Sequence, residues 1–239
     1  MMDPERDDRV KPLALLIPGL DGTGRLYRRQ VPALSERYRV RPWEFQRRAR
    51  FDYQDLIAEL GEGTAGEKAG SMVVIGESFG GPVAMGFALA YPERVRTLLL
   101  VNTFPVYRQR LRIRTACRLS GLLSWPGISQ VKDVVAGAIL VLEGVPRDAR
   151  ALYFDTIRKV DLEAYRRRLE LVRDVDLTDR LADITVPTII LAAGRDKIVP
   201  SASEGRFMAS RIPGSVLHEF PRAGHALLLT PGFSLAEYI

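Results

Sequence analysis

The chain has 239 residues, of which 46% are hydrophobic and 27% charged, with a formal net charge of +6. That composition excludes wholesale disorder and is ample for one large domain with a sizeable core. No apolar run approaches the ~20 residues of a bilayer-spanning helix, so an integral membrane protein is not expected. The charged opening, Met1 to Asp8, lacks the apolar centre of a signal peptide, and the lone Cys117 excludes an intrachain disulfide, which together predict a cytoplasmic location.

In chain order, Pro12 to Pro18 is a continuously apolar run that suits a strand buried on both faces. Residues 25–37 read as a helix interrupted by Pro32, and 40–45 as a short strand. Residues 52–60 read as a helix, followed by a glycine-rich stretch to Gly70. Residues 71–76 read as a second apolar strand, 81–91 as a helix of small and apolar residues ended by Pro92, and 96–101 as a third buried strand. Residues 187–193 are a fourth, 201–212 a helix, 216–220 a fifth strand and 233–239 a closing helix. This alternation predicts an α/β fold, a mostly parallel sheet with helices on both faces. The rhythm breaks between 105 and 180, where helix-like stretches (108–120, 130–142, 147–158, 162–172) occur without a convincing strand. The expected organisation is a core formed by 1–104 and 181–239, with 105–180 as a helical cap over the carboxyl ends of the strands, where such sheets bind ligands.

Gly76-Glu77-Ser78-Phe79-Gly80 matches G-x-S-x-G. It directly follows a buried apolar run and directly precedes a helix, the setting that a sharp nucleophile-bearing turn requires. Small residues flank such a turn, and the helix start beyond it favours developing negative charge. A serine hydroxyl needs a base to become a nucleophile, and the chain has two histidines. His218 falls within the last predicted strand and reads as a packed or edge-strand residue. His225 follows that strand in a short loop that can carry an imidazole over the sheet. An imidazole base needs a carboxylate to orient it. Asp196, just past the fourth strand, is better placed than Glu204, within a helix, or Asp183, in a linker. Asn102 and Thr103, after the third strand, are neutral and cannot supply the acid.

The order Ser78, Asp196, His225, each after a strand, resembles the α/β-hydrolase fold superfamily. Ala90 to Asn102 is similar to that superfamily's passage from the helix after the nucleophile into the next strand, and Gly194 to Pro200 and Gly224-His225 to its acid and histidine loops. The resemblance covers roughly 12–104 and 181–239, with 105–180 in the position of the variable cap. It implies a serine esterase or lipase-like enzyme. Where the superfamily often has His-Gly after its first core strand, this chain has Pro18-Gly19-Leu20-Asp21-Gly22-Thr23-Gly24, similar to a subset of lipase-like hydrolases and acyltransferases. The resemblance implies an oxyanion hole made by the backbone amides of Leu20 and Phe79. Asp21 either holds this loop through backbone hydrogen bonds or lines the pocket. Leu122 and Trp125, among the apolar residues of the cap, are candidate substrate contacts.

The expected reaction is cleavage of a carboxylic ester through an acyl-enzyme on Ser78, with no metal or cofactor required. An acyl thioesterase or an acyltransferase would use the same residues, and a non-catalytic binding protein could keep the same fold. Gly19 to Leu26 also approaches a phosphate-binding loop, but Arg25 and Leu26 stand where the lysine and hydroxyl residue would be. The basic charge is uneven, with five Arg and one Lys but no acid in 105–132. Such a patch could greet an anionic carrier or head group, and is otherwise an ordinary solvated face. The sequence has neither zinc-finger spacing nor a ribonucleoprotein-type aromatic motif, so a nucleic-acid partner is not expected.

Overall fold

The first apolar run folds as β1 (Leu13–Ile17), in which every residue is buried. The structure is a computed structural model that describes residues 11–46, 50–120 and 145–239. Among the described residues six strands form one sheet in the order β2-β1-β3-β4-β5-β6, every neighbouring pair parallel. The others are β2 (Arg39–Pro42), β3 (Met72–Glu77), β4 (Val95–Val101), β5 (Thr188–Ala193) and β6 (Val216–Phe220). Helices follow as α1 (Val31–Ser35), α2 (Tyr53–Gly63), α3 (Gly80–Ala90), α4 (Arg110–Ser120), α5 (Arg147–Arg158), α6 (Leu162–Asp174) and α7 (Ser201–Ala209).

Side chains alternate along a strand, so each central strand feeds two cores. Leu13, Leu15, Ile17, Met72, Val74, Leu98 and Leu100 pack with α2 and α3 on one face. Ala14, Leu16, Val73, Ile75, Leu99 and Val101 pack with Tyr27, Leu34, Leu227, Leu228 and Leu235 on the other. The chain runs outward from β1 to β2 and then returns to the far side of β1 as β3. The β1/β3 boundary is therefore a topological switch point, and the crevice outside its carboxyl ends is where such sheets hold ligands. The loop after β1 and the turn after β3 both open there. The helices α4 to α6 all lie between β4 and β5 in the chain, although these two strands are neighbours in the sheet.

Element boundaries differ from expectation where local chemistry intervenes. The 25–37 segment is a 3-10 turn (Arg25–Arg29) and then the short α1, because Gln30 is buried between them. Its amide donates to Leu228 O at 2.7 Å, and its carbonyl accepts from Leu235 N–H at 2.9 Å. β2 stops at Pro42, which has no N–H to donate to the ladder. Helix α7 stops at Ala209, short of Pro213-Gly214. The expected closing helix is only a 3-10 turn, Leu235–Glu237: Gly232 lies at φ 74°, and Phe233 packs on Phe220 and Tyr238 instead of continuing a helix. The 130–142 helix and the residues Leu122 and Trp125 lie outside the described residues. On α4, Leu111 and Leu119 are exposed, whereas Ile113 is buried.

Helix α3 begins in contact with the end of β1. A Cβ on Gly80 would stand against Ile17 O and 2.6 Å from Pro18 O. Glycine to alanine within a helix ordinarily stabilises by up to about 1 kcal/mol, but this overlap is with backbone, which cannot swing aside, and overpacking costs about 1–3 kcal/mol. Gly80→Ala is therefore expected to lower the urea midpoint of unfolding, and an unchanged or raised midpoint would show that the two segments are not in contact.

Candidate active site

Three strand ends deliver the central side chains. β3 ends at Glu77, and Ser78 follows at φ 53°, a left-handed conformation that a residue with a Cβ rarely adopts. Ser78 N–H donates to Val101 O at 3.0 Å; its carbonyl accepts from Gly81 N–H at 3.0 Å and from Thr103 Oγ1 at 2.6 Å. The turn is thereby clamped to β4 and to the start of α3. β4 ends in a second residue at positive φ, Asn102 at 45°. Its side-chain oxygen accepts from Ala193 N–H at 2.8 Å and its amide donates to His225 O at 2.9 Å. β5 leads to Asp196, whose loop is tied to the end of β6 through Gly194 N–H to Phe220 O and to the segment after it through Arg195 N–H to Ala223 O, both 2.9 Å.

The structure brings Ser78, His225 and Asp196 together. Ser78 Oγ lies 3.1 Å from His225 Nε2, and His225 Nδ1 lies 2.7 Å from Asp196 Oδ2. Ser78 and His225 are buried, and the Asp196 side chain is wholly so. Asp196 is held by four donors: its Oδ1 accepts from the N–H groups of Ile198 (2.9 Å) and Val199 (3.0 Å), and its Oδ2 from Ser201 Oγ and His225. Burial alone would raise the Asp196 pKa, but His225 and these hydrogen bonds outweigh it and hold the carboxyl below its usual range. For His225, burial pushes down; the charge of Asp196, its hydrogen bond and the charge of Glu77 together push harder, and the net shift is upward. His218 is exposed on the edge strand β6 with its ring against Tyr238. Glu204 is paired with Arg108, and Asp183 with Arg180.

The loop after β1 faces this group. Asp21 is buried, and its Oδ2 accepts from Thr23 N–H (2.9 Å) and Thr23 Oγ1 (2.6 Å), so its carboxylate is engaged within the loop. Among the described residues the backbone N–H groups of Leu20 and Phe79 have no acceptor. The Phe79 side chain is buried between Tyr53, stacked at 5.6 Å, and Phe45, edge-on at 6.3 Å. No group of three or more His, Cys, Asp or Glu among the described residues is arranged to hold a metal ion, and no described helix is long and apolar enough to cross a membrane.

Sequence reasoning missed two residues here. Glu77, the variable position before the serine, is buried with Oε1 3.8 Å from His225 Nε2. Its burial, helped by Asp21 and Asp196 and opposed by His225, raises its pKa to about 7. Arg168 reaches from α6 to the loop after β1, where its Nε donates to Leu20 O at 2.8 Å and its Nη2 to Asp21 O at 3.3 Å. It is 3% exposed, and burial lowers its pKa against the pull of Asp21 and Asp161. An arginine in a cap helix carries no sequence signal of that reach.

The sequence matches the Alpha/beta hydrolase family over residues 14–237. It is 27% identical over 242 residues to a Serratia proteamaculans protein provisionally named carbamate hydrolase RutD, covering 94% of this chain and 88% of that one. It is 28% identical over 186 residues to a pimeloyl-[acyl-carrier protein] methyl ester esterase of Pectobacterium atrosepticum, covering 70% and 68%. Among solved structures, an esterase from Exiguobacterium antarcticum superposes with a TM-score of 0.82 at 20% identity over 91% of this chain and 86% of that one, a likeness of fold.

Without Arg168, two carbonyls of the loop after β1 lose their donor. A buried acceptor left unsatisfied costs about 1–3 kcal/mol, so Arg168→Met is expected to destabilise by at least about that much in equilibrium urea unfolding. Arg168→Lys should recover only part, because an ammonium does not reproduce the planar fork. A methionine variant as stable as the parent would show that α6 does not hold the loop.

Proposed function

The chain belongs to the alpha/beta hydrolase family, and from that premise we propose that it is a serine hydrolase that cleaves carboxylic esters through an acyl-enzyme on Ser78. The chief support is the continuous hydrogen-bonded run from Ser78 Oγ through the His225 ring to Asp196. Ser78 attacks the acyl carbonyl as His225 Nε2 takes its proton. Asp196 fixes the ring so that Nδ1 carries hydrogen and Nε2 is free to accept it, and then stabilises the imidazolium. The N–H groups of Leu20 and Phe79 receive the oxyanion; losing one such donor typically costs on the order of 10²–10³ in rate. His225 returns the proton to the leaving group, and water attacks the acyl-enzyme with His225 again as base. The four donors on Asp196 keep it ionised, which suits an orienting acid better than a proton donor. Residues 105–180 act as the cap of this site, and Asp21 serves the loop through Thr23 rather than contacting substrate.

A carrier-borne substrate is the second reading. The relative from Pectobacterium is named for an ester on an acyl carrier, and α4 exposes Arg110, Arg112, Arg114 and Arg118 with no acidic residue in the helix. Such a helix suits an anionic carrier or head group. The relative named for carbamate hydrolysis adds a further carbonyl with a heteroatom leaving group, open to the same attack.

A fluorophosphonate probe is expected to label the native protein and not Ser78→Ala. A panel of nitrophenyl esters of varied acyl length, run beside thioesters, a carbamate and an added alcohol acceptor, is expected to show ester turnover that Ser78→Ala lowers by roughly 10⁴-fold or more. Preference for carrier thioesters or esters that fades with salt would select the second reading. The raised pKa of His225 sets the sign of the pH dependence. The base form is lost as pH falls, so kcat/KM should decline on the acid side with a midpoint above the ordinary imidazole value of about 6.5. Absence of both labelling and turnover would overturn the enzyme reading in favour of a binding protein.

A further inference from the structure

Glu77 is a buried carboxyl that the reaction above leaves unused, and its placement follows from strand periodicity. Val73, Ile75 and Glu77 alternate onto one face of β3, and the first two belong to the core that contains Leu227 and Leu228. The loop carrying His225 passes over that face directly before those leucines. The side chain at position 77 is thus directed beneath the histidine, while Ser78 turns away through its left-handed backbone. Glu77 Oε1 stands 3.8 Å from His225 Nε2, the same nitrogen that meets Ser78 Oγ. Its Oε2 lies against Gly19, where a Cβ would come within 2.6 Å. The carboxyl therefore fills the space between the histidine and the loop after β1, and glycine at 19 leaves room for it.

We propose that Glu77 is a positioning residue, a second carboxylate set on the Nε2 side of His225 across the ring from Asp196, which stabilises the imidazolium formed when Ser78 is acylated. The inference rests on His225 acting as the base of the reaction. At 3.8 Å the contact is too long to be a hydrogen bond, so Glu77 does not compete with the serine or the leaving group for the proton. It is close enough for a charge to act strongly in a buried setting. Asp196 faces Nδ1 and Glu77 lies near Nε2, so the positive ring is flanked by negative charge.

The groups facing Glu77 come from four elements. His225 arrives after β6, Asp196 after β5 and Asp21 after β1. Tyr27 belongs to the 3-10 turn, and its hydroxyl donates to Ile17 O at 3.0 Å. Burial and the two carboxylates disfavour the ionised form of Glu77; the histidine and a backbone hydrogen bond from Gly19 favour it. Glu77 titrates near neutrality and its charge raises His225, so the two titrations are linked. Charge appearing on the ring during catalysis draws the Glu77 carboxyl into its ionised form, and the titration belongs to the pair.

The sign is definite. Removing the carboxylate charge removes an influence that raises the His225 pKa, so the histidine stays in its base form to lower pH. Glu77→Gln is therefore expected to move the acid limb of kcat/KM down by about one pH unit and to lower the plateau kcat about tenfold, a unit of pKa and a factor of ten in equilibrium being equivalent. Glu77→Asp keeps the charge and should restore most of the limb's position. A merely structural role would lower activity at all pH values without moving the limb. The parent protein supplies a measurement that needs no variant. NMR titration of the His225 ring should show two coupled steps. A single-step His225 titration, or a Glu77→Gln limb superimposed on that of the parent, overturns the inference. Fluorophosphonate labelling separates the two levels: labelling lost in Ser78→Ala and His225→Ala keeps the serine–histidine reading whatever Glu77 does, and labelling unaffected by His225→Ala removes that reading itself.

Discussion

The turn that carries Ser78 is the constraint on which the rest depends. A side-chain-bearing residue at φ 53° is disfavoured by roughly 1–2 kcal/mol and persists only where its surroundings over-determine it. Here they do. The Ser78 carbonyl and N–H make three hydrogen bonds, to β4, to Thr103 and to the first turn of α3. The glycines around it matter by what they lack. A Cβ at Gly76 would meet Gly80 O at 2.5 Å and Ala84 Cβ at 2.6 Å, and one at Gly81 would overlap Thr103. The serine can project because the helix behind it lies against the sheet, and the helix can do so because three positions near it carry no side chain.

The same device recurs one strand over. Asn102, at φ 45°, ends β4 and turns its amide between two neighbouring chain segments, accepting from Ala193 and donating to His225. The backbone bonds from Gly194 and Arg195 to the β6 segment complete the tie. The alignment of serine, histidine and carboxylate is thus set by backbone-level links among the ends of β3, β4, β5 and β6, and the side-chain contacts are its result. Charge then accumulates in a small buried volume. Asp196 is saturated with donors, whereas Glu77 has the histidine at a distance and one backbone hydrogen bond from Gly19, and its burial raises its pKa to about 7. In a low-dielectric setting, burial favours the protonated form of a carboxyl that few donors reach.

What the sequence made legible follows from the range of the interactions. The central strands were visible because burial on both faces writes uninterrupted apolar runs, and the serine turn because three glycines and a serine are a local necessity of its backbone. The residues that converge with it were readable as loop residues after strands. Boundaries were less legible where a distant partner decided them: Gln30 breaks the 25–37 segment by bonding to residues near 228 and 235, and the chain end curls onto Phe220 instead of forming a helix. Asn102 was read from the sequence only as unable to supply an acid, which said nothing of its bridging role. Glu77 sat in a position that the motif leaves free.

Arg168 shows why the segment between β4 and β5 cannot be treated as separate from the site. Its guanidinium spans 148 residues of sequence to reach Leu20 O. A buried guanidinium is costly unless its hydrogen bonds are made, and here they go to the carbonyls of two consecutive residues in the loop after β1. Gly22 is compatible with this only because it has no Cβ, which would stand 2.7 Å from the guanidinium carbon. The loop is therefore shaped from two directions: by Asp21 and Thr23 from within, and by α6 from without. Its geometry is a joint property of the sheet and of the helices inserted into it, so a change in the approach of α6 reaches the loop facing Ser78 without any change in the strands that carry the reacting residues.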